Sequence, residues 1–151
     1  MNKLTVIFDL DGTLAIIDKR REMSTKPDGK IHWKKFFDPQ NIQFDEPNIP
    51  VIETFKAMKA AGYGVGIFSG RDAISRTETE QWLADNGIQP DFLRMRPQRS
   101  FTKDDILKKQ WLDEEMEMGH QILCTFDDRN KVVKMWRDNG ISCFQVAPGL
   151  F

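Results

Sequence analysis

A three-layer α/β/α sandwich around a five-stranded, mainly parallel sheet is what this sequence predicts, and three observations predict it. Short apolar runs alternate with stretches of helical periodicity along most of the 151 residues. The first run, Leu4 to Phe8, lacks the polar alternation of a half-exposed strand and so suits a strand buried on both faces. Three runs end in polar or charged groups, Asp9/Asp11, Ser69/Arg71 and Asp127/Asp128. Helical crossovers between parallel strands bring such ends to one edge of the sheet, which is where ligands bind in open α/β folds.

The elements follow in order. After the first strand, residues 14 to 49 lack sustained periodicity apart from a short helix near Trp33 to Phe37. Their first part, Ala15 to Asp38, carries Lys19, Arg20, Arg21, Lys26, Lys30, Lys34 and Lys35 against four acids, so about 15–49 reads as a basic insertion that overhangs the site. Pro50 suits the first turn of a helix whose stripe is Val51, Ile52, Phe55 and Met58. Tyr63 to Phe68 is the second strand. Its glycines do not form a dinucleotide fingerprint, because they lie before and inside the strand. Ile74 to Asn86 is a helix with Trp82 and Leu83 inward, stopped by Gly87. Asp91 to Met95 is the third strand. Thr102 is placed to cap the next helix, with Ile106, Leu107, Gln110 and Trp111 on its inner side. Gln121 to Phe126, a helix over Arg129 to Asn139, and Ser142 to Val146 complete the alternation.

Length favours one domain spanning 1–151, with room for a core but not for a large lid. The formal charge of −1 announces no general nucleic-acid binder, so any such argument must come from local charge. No apolar run approaches the length of a membrane span, and the chain runs straight into its first strand, so a cytoplasmic protein is expected. Cys124 and Cys143 fall inside strands, which favours buried, reduced thiols, and no Cys/His spacing suits zinc.

The chemistry concentrates at Asp9-Leu10-Asp11-Gly12-Thr13. In an extended segment Asp9 and Asp11 point the same way, and Gly12 permits a sharp turn. A calcium loop is excluded because the glycine comes too early and Arg20 stands where the last carboxylate belongs. Asp9, Asp11 and Asp127 in one pocket would raise each other's pKa values unless a hard cation joined them. Magnesium fits, with Asp9, Asp127 and the main-chain carbonyl of Asp11 as ligands and Asp128 orienting water. Asp9 can then attack phosphorus, Asp11 can protonate the leaving oxygen and later activate water, and Thr13, Ser69 and a lysine from the Thr102 helix can hold the remaining oxygens. Lys103, Lys108 and Lys109 compete for that last place. Ser69 could equally serve a turn, and Trp33, Phe36 and Phe37 are better read as a small core pinning a loop than as base-stacking groups. Arg94, Arg96, Arg99 and Lys103, uninterrupted by acids, could track a phosphate backbone.

Taken together, Asp9 to Thr13, Ser69, a downstream lysine and Asp127-Asp128 resemble, in order, the four motifs of the haloacid dehalogenase (HAD) phosphatase superfamily, with its Rossmann-like sheet. The resemblance is closer still to the 3′-phosphatase domain of phage-type polynucleotide kinase-phosphatase. It rests on the D-x-D-G-T-L-A motif followed by Arg20, Ser69 to Arg71, Lys103 to Lys108, Asp127 to Arg129 with Val132 to Arg137, and the ending Gln145 to Phe151. It implies magnesium-dependent removal of 3′-phosphates from DNA or RNA ends, with Asp9 as nucleophile and Asp11 as acid/base. It also implies Arg20 and Arg71 near the phosphate, Lys108 as the motif lysine, and Asp104 as its support. A chain of this length leaves little or no room for a cap domain, so the site could admit a polymer end. Residues 22 to 48 match the family poorly. No G-x-x-x-x-G-K-[ST] occurs, so no 5′-kinase activity is expected of the chain, although a kinase or ligase partner would fit. Competing functions are a HAD phosphatase for nucleotides or other small phosphomonoesters, a receiver-like module that stores an aspartyl phosphate, and a catalytically dead end-binding subunit.

Overall fold

The computed structural model describes residues 3–151. The strands, in chain order, are β1 (Leu4–Phe8), β2 (Ala15–Ile16), β3 (Glu46–Pro47), β4 (Gly64–Asp72), β5 (Phe92–Arg96), β6 (Gln121–Asp127) and β7 (Cys143–Gln145). The helices are α1 (Asp18–Ser24), α2 (Trp33–Phe36), α3 (Ile49–Ala60), α4 (Arg76–Asp85), α5 (Asp104–Glu117) and α6 (Asn130–Asp138). Five strands form one sheet in the order β5-β4-β1-β6-β7, and every pairing in it is parallel.

Strand alternation sends β1 side chains to both faces, which makes two cores. Val6 and Phe8 meet Val51, Ile52 and Phe55 of α3 and Trp82 and Leu83 of α4, while Ile7 meets Leu107, Trp111 and Leu112 of α5 and Val132, Val133 and Trp136 of α6. Layers of helix on either face of the sheet are therefore a consequence of β1 carrying buried apolar side chains, Val6 and Phe8 on one side and Ile7 on the other, to both faces. Among the described residues no helix is long and apolar enough to cross a membrane.

Three expectations need correction. Beyond the expected short helix, found as α2, the insertion is not irregular: it also contains α1, a 3₁₀ turn at Pro39–Phe44 and the antiparallel pair β2/β3, and its Phe36 and Ile42 join the α3/α4 core. Tertiary packing, not periodicity, holds elements this short. Lys103, not Thr102, takes the N-cap position of α5 and makes no side-chain cap. Finally, Ile106 and Gln110 face solvent, and the buried side of α5 is Leu107, Lys108, Trp111, Leu112 and Glu115.

Candidate active site

The main-chain N–H of Asp9 donates to the Phe126 carbonyl at 2.9 Å, extending the β1/β6 ladder by one rung and setting Asp9 beside Asp127. Lys108, nearly fully buried on α5, reaches this edge and donates from Nζ to Asp9 Oδ1 at 2.9 Å and to Asp127 Oδ2 at 3.0 Å. Thr13 donates from Oγ1 to Asp9 Oδ2 at 3.1 Å. Trp136 Nε1 and the Asp128 main-chain N–H complete Asp127's partners at 3.3 and 2.9 Å. Asp128 closes the group: a carboxylate oxygen from each of Asp9, Asp127 and Asp128 lies within 4.8 Å of the others. Gly12 is required here, because its φ is +83° and a Cβ would stand 2.1 Å from Asp128 Oδ2.

Beside this cluster sits a second, buried quartet. Asp11 Oδ1 accepts from Arg20 Nη2 at 2.6 Å and from Arg71 Nη2. Asp45 accepts from Arg20 Nε at 2.9 Å and from Arg71 Nη2 at 2.9 Å. Arg20 also donates to the Phe36 carbonyl at 3.2 Å and lies 4.5 Å over the Phe36 ring, while Arg71 Nη1 donates to Thr79 Oγ1 at 2.9 Å. The insertion thus reaches the site through Arg20 and Asp45. Ser69, fully buried, accepts the Arg71 main-chain N–H at 3.1 Å, which is the turn bond that competed with a phosphate role.

Charge separates the two groups. The quartet balances two guanidiniums against two carboxylates, whereas around Asp9 the single ammonium of Lys108 faces three carboxylates. Burial, and then the neighbouring Asp127, push the Asp9 pKa well above the usual carboxylate range. Burial likewise raises Asp128. Burial acts to raise Asp11 too, but the guanidiniums of Arg20 and Arg71 outweigh it and hold that carboxyl low, so it rests ionised. Burial opposes the charge of Lys108, yet Asp127 and Asp9 raise its pKa and keep it an ammonium. An all-oxygen donor set with an excess of two negative charges fits a hard divalent cation. Nε of Arg71, buried beside Asp11, has no hydrogen-bond partner among the described residues.

The structure therefore brings together Asp9, Asp11, Thr13, Arg20, Ser69, Arg71, Lys108, Asp127 and Asp128. Lys109 pairs with Asp113 on the helix surface at 2.5 Å, and Lys103 is exposed at the N-cap, so of the three lysines only Lys108 enters the site. Asp104 makes no hydrogen bond to Lys108: it bridges Arg96 and Arg129, the latter at 2.7 Å, and acts on Lys108 through charge alone. Arg94 and Arg96 are not free to track phosphates, since Arg94 pairs with Glu114 and Glu115 and Arg96 is buried against the Gly70 carbonyl. Sequence reasoning missed Asp45 and Trp136 Nε1. Nothing in the sequence pairs Asp45 with Arg20 and Arg71, 25 and 26 residues away; the need for a second acid follows only once both guanidiniums are seen buried at Asp11.

This fold, with an acidic cluster at the carboxyl edge of the central strand, defines a phosphatase of the HAD type, a phosphoric monoester hydrolase. The chain belongs to the family described as the polynucleotide kinase PNKP phosphatase domain, whose pattern matches residues 3–151. A putative bifunctional polynucleotide kinase/RNA ligase of Autographa californica nuclear polyhedrosis virus is 30% identical over 136 residues, 88% of this chain and 18% of its own length. A chain in the solved Pnkp1/Rnl/Hen1 complex is 37% identical with a TM-score of 0.82, over 99% of this chain and 48% of that one. A predicted phosphatase from Clostridium acetobutylicum, only 11% identical, shares the fold with a TM-score of 0.72, over 96% of this chain and 85% of its own. This chain thus spans less than half the length of the viral relative and of the chain in the Pnkp1/Rnl/Hen1 complex.

Proposed function

We propose that the chain is a Mg²⁺-dependent phosphatase that removes 3′-phosphates from DNA or RNA ends, in nucleic-acid end repair, through an aspartyl phosphate on Asp9. The observation that carries it is Asp9 itself, held between Lys108 and Thr13 at the end of β1 in a chain of the PNKP phosphatase family. Asp9, the Asp127/Asp128 pair and the Asp11 carbonyl would hold the magnesium, which supplies positive charge to keep Asp9 ionised and to neutralise phosphate oxygens.

Asp9 Oδ attacks phosphorus as the P–O3′ bond breaks, and Asp11 gives its proton to the leaving 3′ oxygen. Asp11 rests ionised because two guanidiniums face it. An arriving phosphate draws on those guanidiniums, Arg71 Nε among them, and so favours the protonated form that the first step needs. Water then attacks the aspartyl phosphorus, its proton returns to Asp11, and Asp9 is freed with inorganic phosphate. Ser69 and Lys108 hold the remaining oxygens. The viral relative's name couples kinase and RNA ligase activities in one chain, and this domain would work beside the same steps.

The test is phosphate release with magnesium from oligonucleotides bearing 3′-phosphate, as DNA and as RNA, against 3′-mononucleotides. Preference for the oligonucleotide is expected, and preference for the mononucleotide would replace this reading by a small phosphomonoester hydrolase.

A further inference from the structure

Phe101 lies in the loop between β5 and α5, near the sheet edge that carries Asp9, and at 95% exposure it is the most exposed large apolar side chain among the described residues. A single exposed apolar residue is ordinary. The backbone beneath this one is not. Arg96, itself buried, donates from Nη1 to the carbonyls of both neighbours of Phe101, Ser100 at 3.4 Å and Thr102, and from Nε to the Gly70 carbonyl at 2.9 Å. One guanidinium therefore ties the pedestal of Phe101 to the turn between Ser69 and Arg71. The loop is further fixed by Ser100 N–H to the Pro97 carbonyl at 3.1 Å, with Arg99 at a φ of +63°.

Arg99 and Lys103 flank the ring, are exposed, and pair with no acid among the described residues. Four residues along α5, about 6 Å of helical rise, separate the backbone of Asp104 from that of Lys108, whose ammonium reaches Asp9 at 2.9 Å. Phe101 is three residues further out, within reach of the first nucleotides behind a bound 3′-phosphate. An exposed aromatic ring on a tied backbone, with a cation two residues to either side in sequence, has the chemistry of a base-stacking platform beside a phosphate track. Tying the backbone before binding lowers the cost of ordering the loop.

We propose that Phe101 stacks on one of the last two bases of the nucleic-acid end whose 3′-phosphate occupies the Asp9 site. The proposal rests on the 3′-end reading above. The test uses the full chain carrying Asp9→Asn, so that ends persist, and measures binding of a fluorescent 3′-phosphorylated oligonucleotide, DNA and RNA, by anisotropy. Adding Phe101→Ala should raise Kd about tenfold, and Phe101→Trp should restore it. An abasic sugar at the stacked position should abolish the difference that Phe101→Ala makes, because there is no base left to lose. Equal Kd for Phe101→Ala on intact strands, as for a ring that docks another protein, overturns the platform. So does an equal loss on strands abasic at either position, which would mark a merely structural role. Phosphate release by the unsubstituted chain is scored separately: release without a Phe101 effect keeps the function and loses the platform, and a Phe101 effect without release does the reverse.

Discussion

At the scale of single residues, Asp45 tests whether the quartet is a balanced unit. It is fully buried in side chain and takes both guanidiniums, so Asp45→Ala leaves Arg20 and Arg71 sharing one carboxylate away from water. Removing one partner of a buried ion pair costs about 3–5 kcal/mol, and urea denaturation should show a loss of that order, while Asp45→Asn, which keeps the shape, should lose less. Lys108 is the converse case. Among the described residues its ammonium is the only one at Asp9, and Lys108→Ala should reduce turnover by roughly a hundredfold or more, as the loss of a charge-stabilising contact does. Lys109 is spent on Asp113 at the surface, so Lys109→Ala should leave turnover within about twofold, an exposed pair being of little weight. Steady-state kinetics of the two variants decides between them, and a larger loss from Lys109 would move the assignment.

At the scale of elements, the closing segment after β7 is positioned by one glycine. Gly149 lies so close under the β6–α6 turn that a Cβ would stand 1.9 Å from the Asp128 carbonyl oxygen and 2.6 Å from Arg129 Cα, and neither is a flexible side-chain end. Gly149→Ala should therefore displace Asp128, costing about 1–3 kcal/mol and lowering activity with it. Gly140, also constrained in backbone at φ +77° but with nothing within 4 Å, is the control: Gly140→Ala should cost about 1–2 kcal/mol and leave activity intact. Thermal melts and turnover measured on both variants separate the two effects. The strands that carry the site were legible because a parallel strand buried on both faces reads as an apolar run, so Asp9 and Asp127 could be placed at strand ends from sequence; the second strand was expected to stop at Phe68, but β4 runs on through Ser69 to Asp72, with a break in its pairing to β5 between them. Within the insertion only the short helix α2 was legible; α1, the 3₁₀ turn and the β2/β3 pair were not, because elements of two to seven residues carry no usable period and are held by Phe36, Ile42 and the buried Arg20. The face of α5 was misread for a related reason. Lys108 and Glu115 are buried by ion pairs, and a pattern read on hydrophobicity assigns their place to Ile106.

At the scale of the whole molecule, the sheet edge stores an electrostatic imbalance that couples metal binding to folding. Unfolding separates Asp9, Asp127 and Asp128 and relieves a repulsion that Lys108 only partly offsets, which is why burial and Asp127 push Asp9 toward its protonated form. A divalent cation that binds the assembled site and not the unfolded chain adds stability by mass action, about 2.7 kcal/mol at a hundred times its Kd. Adding magnesium to the chelator-treated chain, with no nucleic acid present, should therefore raise the thermal midpoint. Asp9→Asn should act in the opposite sense on the two ends of that comparison. Without metal it removes one of the repelling charges and should leave the chain at least as stable as the parent. With metal it forfeits a ligand, so most of the magnesium-dependent rise should disappear, together with phosphate release. Melting curves of parent and variant, each with and without magnesium, decide the matter: a parent indifferent to the ion, or a variant that keeps the full rise, would mean that this cluster is not where the cation binds.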